Sequence, residues 1–307
     1  MEISSLWKTL IESKFQKIDD HFLNSFRMPG NSNNRLAAWD PFDPTMRFFK
    51  FLLLNECGRK PDSFFVKYNK LGNVNLGNPV FITVNRKESK IVSEINIDHF
   101  FSVEEYEFLE ANLPLKFCND ILEIGAGFGR TCQALIKLSN TIKSYTIIDL
   151  PEMLSLSSSY LKKVLSNDEF EKIKFISTED IHLVGNRDLI INIDSFQEMP
   201  RQTIKFYMDN LVSNAKYFYS KNPIGKYTPE SIGIKLGDPN QIREVLTLGL
   251  STQIIDIFNE EELRLARKQH IEAYKPSESF ILVNESPMEI FSYYHNILYK
   301  NNDKNVQ

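Results

Sequence analysis

Three alternating glycines follow a short apolar segment that contains an acid. The segment Ile121–Ile124, with Glu123 inside it, leads directly into Gly125–Arg130, which reads Gly-Ala-Gly-Phe-Gly-Arg. Because Gly125 and Gly127 have no Cβ, the backbone can turn sharply there and approach a ligand closely. A helix that begins behind such a turn offers free N–H groups to a carboxylate or a phosphate. The spacing therefore predicts a small-molecule site on a strand–turn–helix unit.

Two further acids stand where later strands are predicted to end. Asp149 follows the β-type run Ser144–Ile148, and Asp180 follows the run Ile173–Ile176. A carboxylate in the position of Asp149 can accept hydrogen bonds from both hydroxyls of a ribose. NAD-binding proteins also bind the ribose with a carboxylate in this position. Asp149 therefore predicts a nucleoside ligand but does not distinguish NAD from other nucleosides. The dinucleotide fingerprint G-x-G-x-x-G needs its third glycine where Arg130 stands, which disfavours a nicotinamide cofactor.

The predicted secondary structure that positions these residues changes in pattern along the chain. From Asp120 onward, short β-type runs alternate with helical stretches, which predicts a mostly parallel sheet covered on both faces. Before that point, Pro79–Val84 and Lys90–Ile95 read as a hairpin among helices, and Ser102–Glu105 reads as a capping box that opens a helix. The amphipathic segment Met288–Tyr299 predicts a last helix. The β-type runs are Ile121–Ile124, Ser144–Ile148, Ile173–Ile176, Leu189–Ile193, Tyr217–Ser220, Thr252–Phe258 and Phe280–Val283.

Composition excludes several classes of protein. The 307 residues carry 36 Lys and Arg against 40 Asp and Glu, a net charge of −4, which argues against binding to nucleic acid or to an anionic membrane surface. No apolar stretch approaches the 18 residues that a membrane span needs. The first residues lack a basic segment followed by an apolar core, so we expect a cytoplasmic protein. The three cysteines are scattered and predict neither disulfides nor a zinc site.

The glycine-rich segment resembles the first motif of class I S-adenosylmethionine-dependent methyltransferases, E-x-G-x-G-x-G, and Asp149-Leu150-Pro151 resembles the continuation found in many small-molecule O-methyltransferases. The resemblance implies a Rossmann-like, mostly parallel sheet of seven strands, with an N-terminal helical and β-hairpin lid region. It also implies that the glycine turn surrounds the methionine portion, that Glu123 lies near its amino group and that Asp180 contacts the adenine. The implied cofactor-binding residues are Glu123, Gly125, Ala126, Gly127, Arg130, Asp149, Leu150, Met153, Asp180, Ile181 and Asn192.

A second resemblance concerns the substrate. The stretch Ser195–Met199, which reads S-F-Q-E-M, together with the G-F-G-R of the glycine turn, is similar to bacterial sugar O-methyltransferases of antibiotic and surface-glycan pathways. The similarity extends from about Gly77 to Asn222. It implies methyl transfer to a hydroxyl of a sugar, on a nucleotide sugar, a surface glycan or a secondary metabolite.

A sugar hydroxyl is a weak nucleophile, so a general base or a metal must assist its attack. Aromatic O-methyltransferases often carry a histidine where Gln197 stands, and glutamine cannot act as a base. Asp194 and Glu198 are therefore the candidate catalytic acids, and a capping or loop-stabilising role for both stays open. Asp194, Glu198 and Asn222 could together hold Mg²⁺, although we do not expect a metal.

The predicted organisation has three parts: residues 1–114 as a lid, substrate or dimer region, 115–285 as the cofactor-binding domain, and 286–307 as a C-terminal helix and tail. We expect a small sugar or nucleotide-sugar substrate, no nucleic acid and no membrane span, and a homodimer is compatible with the sequence. The alternatives are O- or N-methylation of another small metabolite, a nicotinamide-dependent oxidoreductase, and a nucleoside-binding module without catalysis.

Overall fold

The N-terminal region consists of helices and one hairpin. The structure, a computed structural model, describes residues 2–27, 44–232 and 239–304. Strands β1 and β2 pair antiparallel, as the sequence predicts. In chain order the elements are α1 (Ser5–Lys14), α2 (Asp20–Ser25), α3 (Pro44–Arg59), α4 (Asp62–Lys70), β1 (Ile82–Arg86), β2 (Ile91–Ile95) and α5 (Ile97–Asn112).

The remainder of the described chain alternates strands and helices. Asn259 caps the last helix by accepting hydrogen bonds from two backbone N–H groups. Asp43 and Asp238, which each precede a proline and whose positions in the sequence predict helix N-caps, lie outside the described residues. The elements are β3 (Asp120–Ile124), α6 (Arg130–Leu138), β4 (Ser144–Asp149), α7 (Pro151–Val164), α8 (Asn167–Phe170), β5 (Ile173–Ser177), β6 (Leu189–Ile193), α9 (Arg201–Asn210), β7 (Tyr217–Pro223), α10 (Pro239–Thr247), α11 (Glu260–Tyr274), β8 (Phe280–Pro287) and β9 (Tyr294–Asn301).

Seven of these strands form one sheet in the order β5-β4-β3-β6-β7-β9-β8. Strands β3 to β7 run parallel, whereas β9 is antiparallel to both β7 and β8. The order reverses direction between β3 and β6, which is where open α/β sheets bind their ligands. This is the mostly parallel, Rossmann-like methyltransferase sheet that the resemblance implies, so the predicted fold class is confirmed.

The C-terminal helix predicted over Met288–Tyr299 is wrong, because β9 occupies the second half of that segment and the first half is irregular. Ile297, Leu298 and Tyr299 are consecutive and fully buried, since this strand is covered on both faces. Such a continuous apolar run cannot be distinguished from a buried helix by its periodicity. The strand predicted over Thr252–Phe258 is also wrong: that segment makes a single bridge, from Ile254 to Lys226, and lies outside the sheet.

Helix α5 begins one and a half turns before the predicted capping box. Asn96 is its N-cap and accepts a hydrogen bond from the backbone N–H of His99 at 3.0 Å. Ser102 instead lies inside the helix, where its hydroxyl donates to the carbonyl of Asp98. The apolar pair Phe100 and Phe101 extends the buried face of the helix towards its N-terminus, which explains the earlier start.

The core lies on both faces of the sheet. One cluster packs α6 and α7 and the N-terminal helices α1 and α2 against strands β3 and β4. A second cluster packs α9 and α11 against the opposite face. The carboxyl ends of β3, β4, β6 and β7 therefore meet at one edge, between the N-terminal helices and the C-terminal strands. No helix in the described ranges is long and apolar enough to cross a bilayer.

Candidate active site

The glycine turn between β3 and α6 needs residues without side chains. Gly125, Gly127 and Gly129 have φ angles of +75°, +57° and +94°, a region that favours glycine. A Cβ on Gly125 would collide with the side chain of Ser195, and one on Gly129 would come within 2.9 Å of Leu161. Ser195 and Leu161 thus fix the position of the turn, and its backbone faces the edge of the sheet without side chains.

Asp149 at the end of β4 contacts the glycine turn directly. Its carboxylate accepts hydrogen bonds from the backbone N–H of Gly127 at 3.1 Å and from that of Leu150 at 2.8 Å. Burial raises the pKa of this carboxyl to about 7, although the backbone donors act in the opposite direction. Burial thus disfavours the ionised form of Asp149. A ligand that donates further hydrogen bonds to its carboxylate would stabilise that form.

Glu123 in β3 lies beneath the same turn and is 2% exposed. Its carboxylate accepts a hydrogen bond from the Tyr145 hydroxyl at 2.7 Å. Burial raises the pKa of Glu123 to about 7, against the opposing effects of Tyr145 and of the Arg130 charge. A cationic group in the cavity would favour its ionised form.

Arg130, the first residue of α6, makes a paired contact with Glu105 of helix α5. The two guanidinium–carboxylate distances are 2.8 and 3.0 Å, and Arg130 also donates to the Ser102 hydroxyl at 2.9 Å. The ammonium of Lys221, from β7, bonds to the same carboxylate. Burial alone would raise the pKa of Glu105, but Arg130 and Lys221 lower it below its usual value. One buried acid thus links α5, α6 and β7 behind the cavity.

Asp194 follows β6 with φ of +59°, an unusual backbone conformation that turns its side chain into the cavity. Its carboxylate accepts hydrogen bonds from the Tyr294 hydroxyl at 2.8 Å and from the Gln197 amide. Asp194 is exposed and opens into the cavity. Desolvation by the protein around the cavity and the nearby charge of Glu198 raise its pKa to about 7. A carboxyl that ionises near neutral pH can accept a proton there.

Glu198 connects this loop to the N-terminal helix. Its carboxylate accepts a hydrogen bond from the Trp7 indole N–H at 2.9 Å, across 191 residues of sequence. Around it, the Thr203 hydroxyl donates to the carbonyl of Glu2, and the backbone N–H of Ser5 donates to a Glu244 carboxylate. These contacts hold the start of α1 against α9 and α10, over the edge of the sheet.

A cavity of about 610 Å³ opens at this edge, a volume typical of small-molecule sites. Its walls combine the glycine turn, acids at the strand ends and many aromatic rings. Of the predicted site residues, the structure brings ten into this wall: Glu123, Gly125, Ala126, Gly127, Arg130, Asp149, Leu150, Asp194, Gln197 and Glu198.

Four predicted cofactor residues lie outside that wall. Met153 and Ile181 are buried in the two cores, because α7 and the turn after β5 direct these apolar side chains inward. Asn192 is also fully buried, and its amide donates to the carbonyl of Ile124 and to the Ser195 hydroxyl. The contacts of these three residues with the cofactor stay predictions. Asp180 is exposed outside the cavity lining, and its contact with adenine stays a prediction.

Several residues in the wall are not among the predicted site residues. Trp7 comes from a helix whose position cannot be inferred from its own pattern. Tyr293 and Tyr294 fell within the helix that was wrongly predicted, although an adjacent pair of tyrosines was the available signal. The aromatic residues of the wall are Trp7, Phe101, Phe128, Tyr207, Tyr227, Phe291, Tyr293 and Tyr294.

Asn222, the third residue considered for Mg²⁺, does not face the cavity. It is fully buried, and its amide donates to the side chains of Asn192 and Ser220 at 2.8 and 2.9 Å. The only group of at least three His, Cys, Asp or Glu side chains close enough to share an ion, within the described ranges, is Glu56, Glu104 and Glu289. The ammonium of Lys60 already contacts all three of these carboxylates.

Comparisons with known proteins find no matching family model and no matching curated protein. Solved structures with a similar arrangement include the methyltransferase domain of bacterial CtHen1-C, with a TM-score of 0.47 and 11% identity over 67% of this chain and 99% of that chain. PigF with SAH gives a TM-score of 0.42 and 14% identity over 66% and 58% of the two chains. The glycopeptide N-methyltransferase MtfA complexed with (S)-adenosyl-L-methionine gives 0.39 and 10% over 64% and 86%.

Proposed function

We propose that this protein is an S-adenosylmethionine-dependent methyltransferase that acts on a hydroxyl of a sugar. The observation that carries the proposal is the meeting of Glu123, Gly127 and Asp149 on one wall of a cavity that also contains Asp194. The first three would hold an amino-acid nucleoside, and the fourth would accept a proton from its reaction partner.

The residues present fit S-adenosylmethionine. Gly125 and Gly127 line the cavity without side chains, so a ligand can lie directly against their backbone. Asp149 offers a carboxylate to two ribose hydroxyls, and Glu123 offers one to a cationic amino group. When bound, S-adenosylmethionine supplies an electrophilic methyl group and leaves as S-adenosylhomocysteine.

Asp194 is the general base of the proposal. Its pKa of about 7 lets it take the hydroxyl proton as the acceptor oxygen bonds to the methyl carbon. Tyr294 and Gln197 orient the carboxylate by donating hydrogen bonds to it. Glu198 is held by the Trp7 indole N–H, and we assign two roles to it. It closes the cavity, and its charge raises the pKa of Asp194.

A sugar acceptor is supported by an aromatic wall in the same cavity as the glycine turn. Tyr227, Phe291, Tyr293 and Tyr294 come from β9 and the segments near it and offer four ring faces, and the three tyrosines add hydroxyl groups. Such rings pack against the apolar face of a pyranose, while their hydroxyls bind its polar edge. The alternative, a phenol or an amine of another small metabolite, would use the same base.

The experiment uses the full chain and two ligands. Calorimetric titration with S-adenosylhomocysteine is expected to give one site per chain, and titration with NADH to give no heat of binding. Incubation with S-adenosylmethionine and a panel of sugars, phenols and amines should then give a product heavier by one methylene unit from a sugar. Binding of NADH alone would contradict the proposal. Methylation of phenols or amines alone would contradict the sugar assignment and favour the alternative acceptor.

A further inference from the structure

The cavity wall has an excess of acids. Among the residues of the wall that the structure describes, six carry a carboxylate and two carry a permanent positive charge. The acids are Glu2, Asp98, Glu123, Asp149, Asp194 and Glu198, and the cations are Arg130 and Lys221. The charge of Asp98 is paired with the buried guanidinium of Arg27, 2.6 Å away, so five acids contribute to the excess.

Both cations are engaged by a buried acid. Arg130 makes its paired contact with Glu105, at 2.8 and 3.0 Å, and Lys221 bonds to that same carboxylate. Lys221 is also 5.2 Å from the centre of the Phe101 ring, so its charge faces protein rather than open space. An anionic ligand would have to compete with Glu105 for either cation.

Two of these acids are assigned to the cofactor, and two others remain to face the acceptor. Glu123 and Asp149 would be covered by the amino group and the ribose of S-adenosylmethionine. Of the other two, Asp194 accepts hydrogen bonds from the Tyr294 hydroxyl and the Gln197 amide, and Glu198 accepts one from the Trp7 indole N–H. A phosphate group in this space would bring further negative charge close to both carboxylates, at short range and low dielectric.

We propose that the acceptor is a sugar without phosphate, so the reaction that supplies it is glycosyl transfer and not the making of an activated sugar donor. A nucleoside diphosphate sugar carries two negative phosphates, which this wall would repel, whereas a glycoside presents only hydroxyls and an apolar ring face. Like charges that oppose the wrong ligand are a recognised source of specificity. This inference rests on the proposed function and narrows its substrate to glycosides.

The test compares matched acceptors with the full chain and S-adenosylmethionine. For each of several hexoses, kcat/KM is measured for the methyl glycoside, the 1-phosphate and the nucleoside diphosphate sugar. We expect the glycoside of the accepted hexose to exceed both phosphorylated forms by at least tenfold. A phosphorylated form that reacts as well as its glycoside, or better, would overturn the inference.

Two variants identify charge as the cause. Glu198→Gln removes one acid from the wall, whereas Glu171→Gln removes an exposed acid that is not part of the cavity lining. The preference for the glycoside should fall at least threefold in the first variant and stay unchanged in the second. An equal preference in both would overturn the electrostatic explanation.

Titration with S-adenosylhomocysteine distinguishes a failure of the proposed function from a failure of the glycoside inference. If it does not bind, the proposed function fails. If it binds and no hexose in any form is methylated, the sugar assignment fails and the glycoside inference with it, while cofactor binding stands.

Discussion

The carboxylate of Asp149 accepts a hydrogen bond from the backbone N–H of Gly127, 3.1 Å away. The end of β4 and the glycine turn after β3 thereby form one continuous surface. Because Gly127 lies two residues before the N-cap of α6, the contact also ties Asp149 to the turn that leads into this helix. A ligand that binds there meets backbone and carboxylate together, which is why this pair stands at the centre of the proposed site.

Substituting Gly125 by alanine should destabilise the protein and disrupt the cavity. The new Cβ would collide with Ser195, and the φ of +75° is strained for any residue with a side chain. We expect a loss of at least about 2 kcal/mol in the free energy of unfolding, measured by urea denaturation. Gly58→Ala is the control, because a Cβ there meets nothing within 4 Å, and its stability should be equal or slightly higher. Equal stability of both variants would contradict the account of the turn.

Activity should depend on the ionisation of Asp194. Since its pKa is raised to about 7, kcat/KM should rise about tenfold per pH unit below 7 and level off above it. Asp194→Asn should lower kcat by about 10²- to 10⁴-fold while leaving the Kd for S-adenosylhomocysteine unchanged. A pH-independent rate, or full activity of the variant, would remove Asp194 as the base.

Tyr294→Phe tests the orientation of that base. The Tyr294 hydroxyl donates to the Asp194 carboxylate and so favours its ionised form. Without this donor, the pKa of Asp194 should rise, and the midpoint of the pH–rate profile should move to higher pH. Tyr227→Phe removes a hydroxyl from the same cavity that does not touch Asp194, and its midpoint should not move. A shift in both variants would indicate a general effect of the aromatic wall.

Breaking the buried ion cluster should cost far more than breaking an exposed pair. Glu105→Gln leaves Arg130 and Lys221 buried without their shared acid, and we expect a loss of about 3–5 kcal/mol. Asp209→Asn breaks an exposed pair with Lys205 and should leave the midpoint of urea unfolding unchanged. Comparable midpoints for Glu105→Gln and wild type would show that the cluster does not support the fold.

His270 should make the protein sensitive to acid. Burial and the neighbouring His295 lower the pKa of His270 to about 3, while its Nδ1 bonds to the Ser251 hydroxyl. The unfolded chain binds the proton more readily, so the stability due to His270 is complete above pH 6.5 and falls as the pH drops from 6.5 towards 3. By pH 5.5 the loss is about 1.4 kcal/mol.

The measurement for His270 is the difference between wild type and His270→Gln in urea unfolding across pH 7 to 5. The comparison is needed because Glu123, Asp149 and Asp194, with raised pKa values, become more favourable to folding as the pH falls through 7. The wild type should lose more stability than the variant. Parallel curves would contradict a neutral, buried His270.

The sequence predicts the local parts of the site well. The strand, glycine turn and helix around Gly125–Arg130 depend on neighbouring residues. The structure has the strand within one residue of its predicted start and the helix directly behind the turn. Asp149 and Asp194 were found because both end strands of the same sheet edge. These features follow from short-range pattern and from the geometry of a parallel sheet.

The parts that could not be predicted depend on distant contacts. Trp7 reaches Glu198 across 191 residues, and nothing in either segment indicates the other. The buried run of strand β9 has no period of two and so resembles a helix, and only its pairing with β7 and β8 defines it as a strand. Tyr294 was missed with it, and so was the partner that orients Asp194.

The Kd for S-adenosylhomocysteine, measured by calorimetry in wild type and Asp149→Ala, tests the central claim most directly. Asp209→Ala serves as the control, because it removes an exposed acid from α9 that lies outside the cavity lining. The account predicts one site per chain, a Kd at least tenfold weaker in Asp149→Ala and unchanged in Asp209→Ala, with both variants folded by circular dichroism. Absence of binding to the wild type, or the same Kd in all three proteins, would contradict it.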